Sequence, residues 1–245
     1  MTLLQARNVS KNFGGVQALR DVSFDLPESA VIGLIGPNGS GKSTLLNIIA
    51  GLEKPTSGIV KLDGKRIDNL RANRVVRYGL VKTHQIPKPF SNMTARENVA
   101  VAVLYGRRNI HSPRPALEEA HSILALVGME SKRDVAADRL TVQEKKKVEL
   151  ARAIATGASI LLLDEVFAGL SPGELKASIQ LFRKLHDELR FSVLVVEHVM
   201  RAVLTLSQKV MVLEEGRIIA TGSPDEVVHD EKVIQAYLGS KNPAA

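Results

Sequence analysis

The chain has 245 residues, of which 44% are hydrophobic and 24% are charged, a balance typical of a soluble globular protein. Its formal net charge is +7, but only 4% of the residues are aromatic and no helix-turn-helix or zinc-finger pattern is present, which argues against nucleic acid as a partner. Cysteine is absent, which excludes disulfides and thiolate metal sites, and no apolar run approaches the roughly 18 residues of a membrane span. The first residues lack the basic and apolar regions of a signal peptide, so we expect a cytoplasmic protein.

The N-terminal part predicts an antiparallel β piece followed by a phosphate-binding loop. Its first ~30 residues alternate apolar and polar side chains, which is the period of strands with one buried face. Residues 31–35 then predict a buried strand, and residues 45–50 predict a buried helix. Between them stands the pattern G-x-x-x-x-G-K-[ST] of nucleotide-hydrolysing proteins, made of Gly36, Pro37, Asn38, Gly39, Ser40, Gly41, Lys42, Ser43 and Thr44.

The residue types of this loop suit the binding of a nucleoside triphosphate. Glycines let the backbone curl around a phosphate, because they tolerate positive φ and have no Cβ. The loop amides and the helix N-terminus direct partial positive charge at the phosphates, to which Lys42 adds a full charge. Ser43 offers a hydroxyl to the Mg²⁺ ion that accompanies the nucleotide. We therefore predict that these loop residues bind ATP.

Apolar strand signals then alternate with helical signals, which predicts an α/β core with a mostly parallel sheet. Strand signals recur at residues 80–81, 160–163, 192–196, 209–213 and 217–220. From about Pro87 to Thr156 no strand signal stands out, whereas residues 94–104 and 116–127 predict helices. We therefore predict a single domain of residues 1–245. It consists of a nucleotide-binding core, residues 1–86 and 157–245, and an inserted helical lobe, residues 87–156.

Short sequence patterns also predict two later helix starts and one solvent-exposed basic segment. Ser171 stands before Pro172 and three residues before Glu174, the arrangement of an N-cap with a capping box. The same signal recurs at residues 223–226. The short basic run 145–147 predicts a solvent-exposed face at a helix start.

Two carboxylates, Asp164 and Glu165, directly follow an apolar strand. A parallel sheet delivers such residues at the carboxyl edge of its strands, beside the phosphate loop. Asp164 suits the coordination shell of Mg²⁺, and Glu165 suits a base that orients and deprotonates the attacking water. An acidic turn without a catalytic function is the alternative, but the phosphate loop favours the catalytic interpretation.

Two more polar residues follow strand signals. His198 comes after residues 192–197, and its neutral imidazole could hydrogen-bond the γ-phosphate, although a lone histidine at a strand end is often structural. Gln85 stands where the core meets the helical lobe, and its amide could contact Mg²⁺ or the attacking water. We therefore expect Glu165, His198 and Gln85 to be catalytic, and Ser43, Gln85 and Asp164 to surround Mg²⁺.

The order of these motifs resembles the ATP-binding subunit of an ABC transporter over nearly the whole chain. In sequence, the motifs are the phosphate loop, Gln85, the helical lobe, residues 140–155, the Asp164 and Glu165 pair, and His198. The resemblance implies an ATPase that works as a head-to-tail dimer, with ATP between the phosphate loop of one subunit and the signature helix of the other. It also implies that Phe13 stacks on adenine, with core packing as the alternative interpretation.

Within that family, three segments are similar to branched-chain amino acid importers: residues 145–154, 164–174 and 233–239. The resemblance implies a peripheral subunit on the cytoplasmic face of the inner membrane, docked by its helical lobe to integral membrane transporter subunits. Two alternatives stay open, an ATPase of a lipid or polysaccharide exporter and a regulatory subunit that binds ATP with little turnover. The chain has no long coiled-coil insertion and holds one nucleotide module, which argues against DNA-repair and translation-associated relatives.

The signature segment departs from the family pattern Leu-Ser-Gly-Gly-Gln. It reads Leu140, Thr141, Val142, Gln143 and Glu144. Thr141 keeps the hydroxyl and predicts a capping box with Glu144, but both glycines are lost, and Ser171 replaces the aspartate that usually ends the D-loop. These changes weaken the contacts that the signature segment of this chain can make with the nucleotide of a partner subunit. We therefore expect a heterodimer with a second ATPase subunit.

Overall fold

The computed structural model describes residues 2–83, 87–108 and 110–238. Its strands are β1 Thr2–Phe13, β2 Val16–Pro27, β3 Val31–Ile35, β4 Ser57–Leu62, β5 Lys65–Arg66, β6 Leu80–Lys82, β7 Ile160–Asp164, β8 Ser192–Val196, β9 Lys209–Glu214 and β10 Arg217–Gly222. Its helices are α1 Lys42–Ile49, α2 Ala72–Tyr78, α3 Ala95–Tyr105, α4 Pro113–Leu126, α5 Val142–Ala155, α6 Pro172–Leu189, α7 Met200–Leu206, α8 Pro224–Val228 and α9 Glu231–Leu238. Single turns of 3-10 helix lie at Glu130–Lys132 and Ala137–Arg139.

The strands form two sheets, which confirms the predicted α/β fold. One sheet has the antiparallel order β2-β1-β4-β5, and the other has the order β10-β9-β3-β8-β7-β6. In the second sheet β9, β3, β8, β7 and β6 run parallel, while β10 pairs antiparallel with β9 at the edge. Strands β3, β7 and β8 are buried along their whole length, as a parallel sheet covered on both faces requires.

Strand β4 is the main strand that the sequence analysis missed. It pairs with β1 and so extends the N-terminal hairpin into a sheet. Its burial is uneven, because only Val60 and Leu62 are fully buried. A short strand with two buried positions has too weak an alternation to stand out from the sequence.

Four helices of the described chain begin with a capping box, at Thr94, Thr141, Ser171 and Ser223. In each, the side-chain hydroxyl accepts a hydrogen bond from the amide three residues on, and the glutamate there reaches back to the cap amide. Helix α4 differs from the prediction, because it begins at Pro113 rather than after the Pro-Arg-Pro segment. Proline is compatible with the first helical turn, where the amide it lacks would have no intrahelical partner.

Between β6 and β7 the described residues contain α3, α4, α5 and the two 3-10 turns. Their apolar side chains share a core with the α/β part, in which Val103, Leu124 and Val148 belong to the same cluster as Leu163 and Phe182. Helix α5 therefore packs close to the strand that carries Asp164. In the described ranges no helix is both long and apolar enough to cross a membrane.

Candidate active site

Lys42 is the first residue of α1 and is 6% exposed. Its Nζ donates hydrogen bonds to the carbonyl oxygens of Gly36 and Pro37, each at 2.8 Å. Burial lowers the pKa of the Lys42 ammonium, while the negative charges of Glu165 and Asp164 oppose that shift. Both carboxylates are therefore close enough to act on the charge of the phosphate loop.

Two glycines fix the path of this loop against its neighbours. Gly36 has φ +150°, and a Cβ there would overlap the carbonyl oxygen of Leu213 on β9. Gly41 has φ +105°, and a Cβ there would lie 2.5 Å from the carbonyl oxygen of Ala18 on β2. Only glycine combines these backbone angles with such close approach, so the loop is clamped between the two sheets.

One surface cleft combines the loop with the predicted base and the predicted histidine. It is lined by Ala18, Asn38, Gly39, Gly41, Lys42, Ser43, Thr44, Glu165 and His198. Within it His198 Nε2 lies 3.1 Å from Glu165 Oε1. The structure thus brings together residues from three distant parts of the sequence at the carboxyl edge of the parallel sheet.

Glu165 has an unusual backbone conformation. Its φ is +52°, in the left-handed region that non-glycine residues seldom adopt. Its amide donates to the carbonyl oxygen of Val196 on β8 at 2.9 Å, and its own carbonyl accepts from Ala168 N at 3.3 Å. The chain therefore turns sharply at the end of β7 and directs the Glu165 side chain into the cleft.

Asp164 is paired with a lysine that the sequence analysis did not identify. Lys82 Nζ lies 3.0 Å from Asp164 Oδ2 and donates to Asn47 Oδ1 of α1 at 2.7 Å. The Asp164 amide also donates to Thr83 Oγ1 at 3.3 Å. The available signal was a charged residue at the end of an otherwise apolar strand, Leu80 to Lys82.

The donor types of this site fit Mg²⁺. Ser43 offers a hydroxyl and Asp164 offers a carboxylate, and hard oxygen ligands of this kind suit a small divalent ion that also binds phosphate oxygens. Ser43 lines the cleft, and Asp164 lies close enough to influence Lys42 next to it. Gln85, the third predicted ligand and a predicted catalytic residue, lies outside the described residues.

Phe13 stands at the end of β1 with 47% of its surface exposed. Lys11 Nζ lies 4.7 Å from the centroid of its ring. This exposure fits a ring that is available to stack on a ligand better than it fits core packing.

The signature segment has the predicted helix start and an altered surface. Thr141 caps α5, and its amide hydrogen-bonds Glu144 Oε2 at 2.8 Å. Glu144 Oε1 lies 3.4 Å from Lys132 Nζ, so its negative charge is partly balanced. Leu140 is buried, whereas Val142 is 67% exposed at the helix N-terminus, where the family has a glycine. Gln143, at the second glycine position, is half-buried.

Lys146 is not solvent-exposed as the basic run suggested. Its Nζ donates to the carbonyl oxygen of Ala168 at 2.5 Å, and burial lowers the pKa of its ammonium. Helix α5 is therefore linked to the turn that follows Glu165. The sequence offered no signal for this contact, because the lysine stands between two others in a polar stretch.

Glu197 is a second residue that the sequence analysis missed. It is 1% exposed, and its Oε1 accepts a hydrogen bond from Phe167 N at 2.7 Å. Burial raises the pKa of the Glu197 carboxyl to about 7. The available signal was an acidic residue between His198 and a strand that is apolar after Ser192.

Known protein families match two parts of this chain. The sequence pattern of the family described as "ABC transporter" matches residues 19–168, which include the phosphate loop and Glu165. The chain belongs to the ABC transporter family. A second family, the branched-chain amino acid ATP-binding cassette transporters, matches residues 217–241, from β10 to the C-terminal segment.

Curated relatives cover nearly the whole chain. The high-affinity branched-chain amino acid transport ATP-binding protein BraF of Pseudomonas aeruginosa is 34% identical over 252 residues, covering 97% of this chain and 98% of the relative. The lipopolysaccharide export system ATP-binding protein LptB of Haemophilus influenzae is 32% identical over 244 residues, covering 98% and 99%.

Solved structures agree with this placement. The crystal structure of the ADP conformation of an ATP-binding cassette of an ABC transporter has a TM-score of 0.86 and 32% identity, covering 98% of this chain and 99% of that one. A dimeric post-hydrolysis cassette bound to ADP and Pi has a TM-score of 0.81 and 26% identity, covering 91% of this chain and 99% of that one. The protein is thus an ATPase of the cassette type, whose ATP hydrolysis is coupled to transport.

Proposed function

We propose that this chain is the MgATP-hydrolysing subunit of a membrane importer for branched-chain or related amino acids. The position of Glu165 supports ATP hydrolysis, because its carboxylate lies in the same cleft as Lys42 and 3.1 Å from His198 Nε2. The observation that supports the substrate class is the match of residues 217–241 to branched-chain amino acid cassettes.

The reaction is the attack of a positioned water on the γ-phosphate of ATP. Lys42 and the loop amides hold the β- and γ-phosphates and balance the charge that develops on them. Glu165 orients the water and accepts its proton, and His198 exchanges its contact with Glu165 for a γ-phosphate oxygen. When bound, Mg²⁺ neutralises phosphate charge, and Ser43 with Asp164 would hold it. Phe13 stacks on the adenine ring. Gln85 remains a proposed ligand or sensor on the strength of its sequence position.

The helical lobe, residues 87–156, is the proposed docking surface for the integral membrane subunits on the cytoplasmic face of the membrane. Phe90 is 48% exposed, and its backbone is held on both sides by the buried Asn98, whose Oδ1 accepts from Phe90 N at 2.7 Å and whose Nδ2 donates to Phe90 O at 3.0 Å. Arg152 lies 5.2 Å from the ring centroid and donates to Lys88 O at 3.1 Å. An exposed aromatic on a fixed backbone is a suitable anchor for a partner protein.

The working unit is a dimer, and we propose a heterodimer with a second ATPase subunit. Val142 adds an exposed β-branched side chain where the family's glycine lets a partner's phosphate approach the backbone. Glu144 keeps a carboxylate at the same helix end. The Thr141 amide donates a hydrogen bond to this carboxylate, and the Lys132 ammonium partly balances its negative charge. The partner would supply an intact signature to this chain's own phosphate loop.

An exporter ATPase is the second candidate, supported by the similarity to LptB over 98% of the chain. Uptake of labelled leucine separates the two candidates. Cells that lack the gene should lose high-affinity uptake, regain it with the wild-type chain and fail to regain it with Glu165→Gln. Unchanged uptake together with loss of a lipid or polysaccharide from the cell surface would instead support the exporter.

A further inference from the structure

Glu197 is a buried carboxylate that the proposed chemistry does not use. Its side chain is 1% exposed, and Oε2 has no hydrogen-bond partner among the described residues. Burying a carboxylate with one oxygen unsatisfied costs free energy. Phe167 N donates to Oε1 at 2.7 Å, which is a short and well-formed hydrogen bond, and the Val199 backbone also acts on the carboxylate.

Phe167 lies in the turn formed by residues 165–168, which we call the catalytic turn. Glu165 opens the turn with φ +52°, a conformation that a non-glycine residue keeps only when its surroundings hold it. The bond that closes the turn, from Ala168 N to Glu165 O, is long at 3.3 Å. The catalytic turn therefore depends on support from outside itself.

Residues 196–198 give that support at successive points. Val196 O accepts from Glu165 N at 2.9 Å and fixes the start of the turn. Glu197 Oε1 accepts from Phe167 N and fixes its third residue. His198 Nε2 lies 3.1 Å from Glu165 Oε1 and contacts the side chain itself. One short segment thus aligns both the backbone and the carboxylate of Glu165.

The helical lobe holds the far end of the same turn. Lys146 Nζ of α5 donates to Ala168 O at 2.5 Å. Ala168 directly follows Phe167, whose amide donates to Glu197. The positive charge of Lys146 also acts on the Glu197 carboxyl, opposing the effect of its burial. Glu197 and Lys146 therefore bond to neighbouring residues of the turn, and their charges attract each other.

We propose that Glu197 is a positioning residue that fixes the catalytic turn, so that the Glu165 carboxylate stays directed into the cleft it shares with Lys42. The inference rests on the proposed function of Glu165 as the base. Glu197 does not line the cleft, and it acts through the Phe167 amide. A misplacement of about 1 Å in a catalytic group can lower a rate by on the order of 100-fold, so the loss of this bond should be measurable in turnover.

Two substitutions in the full-length chain test the proposal. Glu197→Gln keeps an oxygen that can accept from Phe167 N, whereas Glu197→Met has a similar length and no such oxygen. We expect the Gln variant to retain kcat within about threefold, and the Met variant to lose about 10- to 100-fold in kcat with a nearly unchanged Kd for MgATP. Wild-type turnover in a folded Met variant would overturn the proposal. Equal losses in both variants would also overturn it, because the acceptor oxygen would then not be the relevant feature.

Hydrogen exchange gives a readout that does not depend on turnover. The Phe167 amide should exchange slowly in the wild-type chain, stay protected in Glu197→Gln and exchange at least about 10-fold faster in Glu197→Met. Exchange of this amide in the wild type as fast as in exposed loops would overturn the proposal, even if the Met variant does not fold. A failure of the proposed function would be seen separately, as normal turnover in Glu165→Gln.

Discussion

Lys82 and Asp164 form a salt bridge, with Nζ 3.0 Å from Oδ2 and side chains only 10% and 11% exposed. Lys82 also donates to Asn47 Oδ1 at 2.7 Å, and Asn47 belongs to the helix that starts in the phosphate loop. One ammonium group therefore joins three elements, β6, β7 and α1. It fixes the predicted magnesium carboxylate relative to the residues that are predicted to bind phosphate.

Lys82→Met should destabilise the protein by about 3 kcal/mol, because it leaves the buried Asp164 carboxylate without its cation. Lys82→Arg, which keeps the positive charge, is the matched control and should cost less. Urea unfolding followed by circular dichroism measures both variants, and the double variant Lys82→Met/Asp164→Asn should recover part of the loss. A loss below about 0.5 kcal/mol in Lys82→Met would mean that the pair contributes little to stability.

Lys42→Ala should weaken nucleotide binding by at least about 100-fold, because it removes the full positive charge of the phosphate loop. Titration with a fluorescent ATP analogue measures the affinity. Lys61→Ala removes an exposed lysine of β4 and should leave the affinity unchanged. Equal affinity in the Lys42 variant and the wild type would refute the assignment of the loop.

Glu165→Gln should bind MgATP normally and lose about 100-fold or more in turnover, because an amide cannot accept the proton of the attacking water. Phosphate release under saturating ATP is the measurement, and Glu28→Gln, at an exposed position, is the control. The variant should also remain longer in the closed dimer. If it hydrolyses ATP at the wild-type rate, another group must be the base.

The stability of the protein should carry a pH dependence that comes from Glu197. Its pKa is raised from 4.5 to about 7 by burial, with the Glu165 charge adding to the rise, and with the Phe167 and Val199 amides and the Lys146 charge opposing it. The folded state therefore binds the proton more tightly than the unfolded state. The contribution is fully present below pH 4.5 and is lost as pH rises to about 7.

The shift corresponds to at most about 3 kcal/mol across this window. Denaturant unfolding of the wild type and of Glu197→Gln at several pH values measures it as the difference between the two curves. The Gln variant cannot titrate at this position, so the difference in unfolding free energy should change over the window. A constant difference would show that Glu197 titrates alike in both states.

The two ATP sites of the transporter should differ. The site formed by this chain's phosphate loop, Glu165 and His198 would face the partner's intact signature and be faster. The other site would face Val142 and be slower. Glu165→Gln should therefore lower transport more than the equivalent change in the partner subunit, measured as substrate uptake in the assembled transporter. Equal effects, or a fully active homodimer of this chain alone, would contradict the asymmetry.

Local sequence determined the phosphate loop and the starts of α3, α5, α6 and α8. The loop is one contiguous strand-loop-helix segment, so its glycines, Lys42 and Ser43 are set by neighbours in the chain. The capping boxes at Thr94, Thr141 and Ser171 likewise involve residues three apart. Asp164, Glu165 and His198 could be predicted because parallel strands end at one edge of a sheet, which holds whatever the details of packing.

Tertiary structure alone decided which side chains support that site. Lys82 reaches Asp164 because β6 and β7 pair in one register, with Lys82 opposite Leu162. Glu197 reaches Phe167, and Lys146 reaches Ala168, because the end of β8 and helix α5 both pack next to the catalytic turn. Such contacts depend on strand register, rotamers and the docking of distant segments. A charged residue in the sequence looks the same whether it faces water or, as Glu197 does, a buried amide.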